Sequence, residues 1–203
     1  MPSDEGALTG TPDGEIQLLI ERAKAGDTRA FEDLARREER ALYRHVVRIV
    51  GTTADAEDIV QDALFSAWRS IASFQGLSFR AWLFRIATNR ALDQLRSRKR
   101  RPELPLDPPD DDDVTWAEPV APGPDLTQLV GDREALAAVE TALGSLPAEQ
   151  RTALLLRDVE GFAYEEISVI TSVEIGTVKS RIHRGRLAVR NVLIARGWRG
   201  PEG

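Results

Sequence analysis

The feature that most limits how this chain can fold lies in its middle. From Pro102 the sequence runs Pro-Glu-Leu-Pro-Leu-Asp-Pro-Pro and then Asp110 to Asp113, and seven of the eleven prolines fall between Pro102 and Pro124. Each proline removes a backbone donor and fixes φ, and the aspartate run repels itself, so neither helix nor sheet is favoured there. The stretch reads as an extended, solvated, acidic, Pro-rich linker over 102–131, with folded pieces on either side. It also explains the net charge of −6: residues 102–131 carry eight Asp and Glu and no base, residues 1–101 carry 17 Lys and Arg against 15 acids, and residues 132–203 carry ten of each. The two flanking pieces are therefore neutral to slightly basic, and the overall sign does not argue against nucleic acid as a partner.

Both pieces read as helical, with no strand alternation, which predicts an all-α chain of two small helical domains. Thr11-Pro12-Asp13 opens a helix that stops at Gly26-Asp27, and a second helix runs to Val50 before Gly51. From Asp55 to Trp68, Ala56, Ile59, Val60, Ala63, Leu64 and Ala67 form one apolar stripe. Phe65 falls almost opposite its centre, framed by Asp58, Gln61 and Asp62, which is the pattern of an aromatic anchor for a protein partner or of a scattered surface residue. Ser78 is placed to cap a helix from Phe79 to about Lys99. One side of that helix is apolar; on the other, Trp82, Arg85, Asn89, Asp93 and Arg96 share a narrow stripe, and the helix ends on Arg98, Lys99, Arg100 and Arg101. Arginines track phosphates, Trp82 and the Phe74 loop offer faces for unpaired bases, and Asn89 and Asp93 can bond base edges. A merely solvated basic face with Trp82 in the core is the competing reading.

In the C-terminal piece Leu146-Pro147 starts a helix that stops at Gly161, a short helix runs from Tyr164 to Thr171, Ser172-Val173-Glu174 turns, and Gly176-Thr177 opens a last helix. Short helix, tight turn and longer helix is the helix-turn-helix layout. Val178, Ile182, Gly185 and Val189 point to a core, while Thr177, Ser180, Arg181 and Arg184 project outward with Lys179 and His183 beside them. A purely structural three-helix bundle stays open as the alternative.

No cysteine is present, which removes disulfides, thiolate metal sites and thiol nucleophiles. The two histidines, His45 and His183, are too few and too far apart in sequence for a metal cluster or a triad, so no metal and no cofactor is expected. No apolar run approaches the ~20 residues of a membrane span, and the N-terminus carries no apolar signal, so the expectation is a cytoplasmic protein without membrane insertion. No glycine-rich phosphate loop is present, and the chain is not expected to be an enzyme.

The run Asp55-Ala56-Glu57-Asp58-Ile59-Val60-Gln61-Asp62-Ala63-Leu64-Phe65, then Phe79-Arg80-Ala81-Trp82-Leu83-Phe84-Arg85-Ile86-Ala87-Thr88-Asn89, then Leu146-Pro147 and Gly176-Thr177-Val178-Lys179-Ser180-Arg181 resembles an extracytoplasmic-function (ECF) sigma factor of bacterial RNA polymerase. The resemblance implies a region 2 bundle over 13–101 and a region 4 helix-turn-helix over 132–195, with tails at 1–12, taken as disordered, and 196–203. It implies that Asp55, Asp58, Gln61, Asp62 and Phe65 meet the clamp helices of core RNA polymerase, with the polymerase flap as a further contact of the chain. It assigns Phe74, Phe79, Arg80, Trp82, Arg85, Asn89, Asp93 and Arg96 to melting and capture of the −10 promoter element, and Thr177, Lys179, Ser180, Arg181, His183 and Arg184 to the −35 element. It also implies an anti-sigma protein as a second partner. Ser168, Thr171, Ser172 and Glu174 depart from the family pattern and bear on the turn geometry. Two elements about 25 base pairs apart are separated by roughly 85 Å, which a 30-residue linker spans only when extended, to at most about 100 Å. A stand-alone helix-turn-helix regulator that never touches polymerase, and a helical adaptor for acidic proteins, are the alternatives to an initiation factor.

Overall fold

The computed structural model describes residues 12–76, 78–100 and 133–196, and every element in them is helical. The linker expected over 102–131 lies outside the described residues, as do nearly all of the two expected tails. Four helices precede it: α1 (Pro12–Lys24), α2 (Thr28–Val50), α3 (Thr53–Ser70), continued by a 3₁₀ turn over Ile71–Ser73, and α4 (Phe79–Arg100). Four follow: α5 (Arg133–Ser145), α6 (Ala148–Asp158), α7 (Tyr164–Thr171) and α8 (Ile175–Ala195). The helix-turn-helix is α7 and α8. Helix α5 is additional to the elements read from the sequence.

The boundaries follow from local chemistry. The Asp27 carboxylate accepts the Ala30 N–H at 3.2 Å at the start of α2, and Gly51 ends that helix at φ 85°, donating its own N–H to the Val47 carbonyl at 2.8 Å. Only glycine takes that left-handed conformation at little cost. The Ser78 hydroxyl accepts from Ala81 N–H at 3.1 Å and caps α4 as expected. In front of α7, the Glu166 carboxylate accepts the Ala163 N–H at 2.9 Å.

Helices α1 to α4 pack as one bundle. Its core holds Phe31, Leu34, Leu42, Ile49, Ile59, Leu83 and Phe84. A row of rings runs through it: Phe31 meets Trp68 at 5.3 Å and Phe79 at 6.2 Å, and Phe74 meets Trp82 at 5.0 Å. His45 is buried between α2 and α4, with Nε2 3.0 Å from the Thr88 hydroxyl.

Helices α5, α6 and α7 pack around α8, on a mostly aliphatic core of Leu154, Leu155, Leu156, Ile167, Ile170, Ile182 and Leu193. The stripe expected on the last helix is the buried one, with Val178, Ile182, Gly185 and Val189 inward. A Cβ on Gly185 would stand 3.4 Å from Leu154, so a hydrogen there lets α8 approach α6 closely. The residues that depart from the family pattern are accommodated within the turn. The Ser168 hydroxyl donates to the Val173 carbonyl at 2.6 Å, the Thr171 hydroxyl donates to Ile167 at 2.7 Å, and Ser172 adopts the left-handed conformation at φ 57°.

The two helical units touch. Helix α4 lies against α6 and α7, and α2 lies against α6.

Candidate protein-binding and nucleic-acid-binding faces

Asp58, Gln61, Asp62 and Phe65 are exposed together on α3, because the stripe opposite them is spent on the core. Phe65 is 60% exposed, with the Arg69 guanidinium 5.7 Å from its ring centroid. An aromatic ring standing in water among carboxylates has the form of an anchor awaiting a pocket. Asp62 is also paired, through Arg90 at 3.0 Å. Asp55, placed with this group from the sequence, is half-buried and bonded within the chain. Its carboxylate takes hydrogen bonds from Arg98, from the Thr52 hydroxyl and, at 2.8 Å, from Gln94. The Arg98 bond, then the Thr52 bond, hold that carboxyl below the usual aspartate range. Asp55 thus ties the start of α3 to the basic end of α4. Beside the Phe65 face, α2 and α3 leave an open groove of about 470 Å³ lined by Arg40, Tyr43, Val60 and Leu64. Sequence reasoning missed Tyr43, whose position on this groove depends on how α2 and α3 pack.

The second face lies on α4. Arg85, Asp93 and Arg96 are exposed and Trp82 and Asn89 are half-buried, so the stripe drawn from helical periodicity is on the surface. Phe74 and Phe79 depart from expectation: each is only 5% exposed, packed into the ring row, and Lys24 lies 5.7 Å over Phe74. In this conformation they offer no open face to a base. They form the wall behind Trp82, whose ring is the one of the three at the surface. Arg80 departs further. Two residues before Trp82 on a helix is about 200° away, so Arg80 points from the opposite side of α4, toward α2 and the C-terminal unit. Its Nε donates to Glu38 at 3.0 Å and its two Nη donate to the Glu160 side chain and carbonyl at 2.7 and 2.8 Å.

The third face is on α8. Lys179 is exposed, and Thr177, Ser180, Arg181, His183 and Arg184 are half-buried along its outward side. The Ser180 hydroxyl donates to the Thr177 carbonyl at 2.8 Å, so its proton is used within the helix and its lone pairs face outward. Tyr164, which sequence reasoning did not single out, has the Lys179 ammonium 5.9 Å and the Arg157 guanidinium 4.7 Å from its ring centroid. The ring therefore steadies a base of the outward face from the start of α7. Arg186, further along α8, is anchored on buried Asp158, its Nε donating at 2.9 Å. That bond raises the Arg186 guanidinium above its ordinary value.

Among the described residues no three metal-ligating side chains come together, and no helix is long and apolar enough to cross a membrane.

The chemistry of the three faces differs accordingly. One is an aromatic among acids, one carries arginines and a tryptophan, and one is a basic helix face. Residues 34–101 match the Sigma-70 region 2 family, and residues 136–189 match the Sigma-70 region 4 family. The chain is 38% identical over 195 residues to the ECF RNA polymerase sigma factor SigE of Mycolicibacterium smegmatis, covering 95% of this chain and 70% of that protein. It is 37% identical over 182 residues to the ECF RNA polymerase sigma-E factor of Escherichia coli, covering 86% and 92%. Among solved structures, the sigma factor RpoE bound to the anti-sigma factor NepR from Bartonella quintana matches with a TM-score of 0.62 and 33% identity, over 81% of this chain and 96% of that one. CnrH in complex with the cytosolic domain of CnrY matches with a TM-score of 0.64 and 27% identity, over 89% and 98%.

Proposed function

Because the chain belongs to the ECF sigma factors of bacterial RNA polymerase, we propose that its three faces divide promoter-directed initiation among them. The protein is a non-enzymatic initiation factor, which gives core polymerase its choice of promoter. Asp58, Gln61, Asp62 and Phe65 dock on the polymerase clamp helices. Trp82, Arg85, Asn89, Asp93 and Arg96 take the opened −10 strand by stacking and phosphate contact, with Phe74 and Phe79 supporting Trp82 from behind. Thr177, Lys179, Ser180, Arg181, His183 and Arg184 read the −35 duplex in the major groove. Melting is driven by binding, and the sequence carries no glycine-rich phosphate loop. The observation that carries this reading is the joint presence, on one chain, of a ring-backed arginine face and a basic recognition helix. A protein that only occupies duplex DNA has no use for the first.

The working compartment is the cytoplasm, where the polymerase is. An anti-sigma protein is a further partner, as NepR is for RpoE of Bartonella quintana.

The test is transcription of genomic DNA in vitro with core polymerase and the full chain, with sequencing of transcript 5′ ends. Promoter-specific starts that depend on the chain are expected; a regulator without polymerase contact gives none. On a promoter found this way, Phe65→Ala with Asp58→Ala is expected to weaken core binding at least ~30-fold, the size of an interface hot spot. Arg181→Ala is expected to reduce initiation by about 1–3 kcal/mol in promoter affinity and to flatten its salt dependence. Unchanged core affinity in the first variant removes the assignment of the Phe65 face.

A further inference from the structure

The interior of the N-terminal unit is apolar except at one place. Among the described residues three polar side chains are buried, His45, Thr88 and Thr152, and the first two meet each other across α2 and α4. His45 Nε2 lies 3.0 Å from the Thr88 hydroxyl, and the imidazole packs on Phe84 with 5.2 Å between ring centroids. The other ring nitrogen, Nδ1, is buried without a hydrogen bond. All the hydrogen bonding of this imidazole is therefore aimed at one hydroxyl on α4. Burying a ring nitrogen unpaired opposes folding, and a leucine facing a valine would fill the two positions without that cost. The pair is poorly explained by stability alone.

What it adds is direction. The other buried side chains of α4 are Phe79, Leu83, Phe84, Ala87, Ala91 and Leu92, and apolar burial is non-directional, so it holds the helix in place without fixing its rotation closely. The polar ties of α4 to α2 and α3, Arg80 with Glu38, Arg90 with Asp62 and Arg98 with Asp55, are all partly exposed, where water competes with them. The bond to His45 is buried, and a hydrogen bond weakens steeply when its angle or length departs from the optimum. Thr88 is also the neighbour of Asn89, which emerges half-buried on the opened-strand face. An atom at the helix perimeter, about 5–6 Å from the axis, moves roughly 1 Å for each 10° of rotation. A shift of that size separates a made hydrogen bond from a lost one.

We propose that His45 is a positioning residue for the −10 face: through Thr88 it fixes the rotation of α4, and so the placement of Asn89 against the bases of the opened strand. This rests on the reading of α4 given above and adds to it two buried residues that do not touch DNA. Base discrimination on α4 is then set partly from α2, by a bond that the strand never meets.

The test uses the full chain with core polymerase on two promoter libraries, one randomised over the −10 element and one over the −35 element, with sequencing of the transcripts and thermal unfolding of each variant. Thr88→Val keeps the shape of the side chain and removes the hydroxyl. It is expected to reduce discrimination at one or more −10 positions about 10-fold, the share of one well-placed base contact. Thr88→Ser keeps the hydroxyl and is expected to restore discrimination to within about twofold of the wild type. His45→Leu with Thr88→Val leaves no unpaired polar group, so its melting temperature is expected to return to that of the wild type or above while −10 discrimination stays reduced. Should Thr88→Val fold poorly, this double variant carries the test. Discrimination at −35 is expected to be the same in all of them. A double variant that reads −10 like the wild type, or discrimination that merely follows melting temperature across the series, makes the pair a folding contact and overturns the proposal. Asn89→Ala keeps the two readings apart. Discrimination lost in Asn89→Ala and kept in Thr88→Val removes the positioning role alone, whereas discrimination kept in Asn89→Ala removes Asn89 from the −10 reading and the route through it.

Discussion

The two helical units are built on different cores. Five of the six phenylalanines lie in the N-terminal unit, and all but the exposed Phe65 serve its interior. The C-terminal unit has one, Phe162, and uses it against Phe84 of the other. Its own core is leucine, isoleucine and valine around α8. In the proposed division of roles, a single strand has no groove to guide it, so its reader needs a stiff wall that keeps an aromatic ring at the surface, and the row from Trp68 through Phe31 and Phe79 to Trp82 is such a wall. A duplex brings its own shape, and a helix held at the right angle is enough to enter it. The contrast is also electrostatic. Around the N-terminal faces, Asp55, Asp62 and Arg96 are paired with charged groups of the same chain, whereas Lys179 is steadied by a neutral ring.

The contrast breaks most visibly at Phe84, where the units meet. Phe84→Ala removes a fully buried ring that touches His45, Arg80 and Phe162. The expected cost is about 3–5 kcal/mol in denaturant unfolding of the N-terminal unit. Ile167→Ala, within the aliphatic core, is expected to cost about 2–5 kcal/mol in the C-terminal unit alone. If both variants shift one shared transition equally, the units do not fold independently and the comparison fails.

Acid distinguishes the units next. Burial, and then the positive charges of Arg48 and Arg80, lower His45 from 6.5 to about 3. The unfolded chain therefore takes up a proton near pH 6.5 that the native bundle refuses until about pH 3. Stability present above pH 6.5 is lost as pH falls, by about 1.4 kcal/mol per unit, or roughly 2 kcal/mol at pH 5. The expected result is a melting temperature of the N-terminal unit that declines from pH 6.5 to 5, while His45→Gln flattens that slope. A flat wild-type profile contradicts it. Glu160 has the opposite sign: burial raises its carboxyl, so the share of stability it contributes is present at low pH and lost as pH rises through the raised value.

Much of this was legible in the sequence, and the exceptions share a cause. The bounds of α7, the buried stripe of α8, the Ser78 cap and the isolation of Phe65 are local or periodic properties, and the structure has them where the pattern puts them. The burial of Phe74 and Phe79 is collective, because it requires Phe31 from α2 and Trp68 from α3 to arrive beside them. Asp55 lies on the same face as Asp58, but its partner is 43 residues away. Glu160 reads as one more surface acid until Arg80, 80 residues earlier, is brought to it. Arg80 alone is separable on the helical wheel, which puts it about 160–200° from Trp82, Asn89 and Arg96.

The smallest effect separates the units most cleanly, because it concerns one turn in one of them. Ser172 ends α7 at φ 57° and ψ 38°, the only positive φ outside glycine among the described residues. A side chain in that conformation crowds its own backbone, at about 1–2 kcal/mol. Glycine removes the crowding and returns part of the gain through the freedom it adds to the unfolded chain, so Ser172→Gly is expected to stabilise the C-terminal unit by up to about 1 kcal/mol. The Ser168 hydroxyl still holds the Val173 carbonyl in this variant, so the angle between α7 and α8 is kept. Initiation at a −35-dependent promoter should then be unchanged, and so should unfolding of the N-terminal unit. A loss of stability instead would mean that the exposed serine contributes a bond worth more than the strain, and a change in −35 preference would mean that the turn, and not α8 alone, sets how the recognition helix enters the groove.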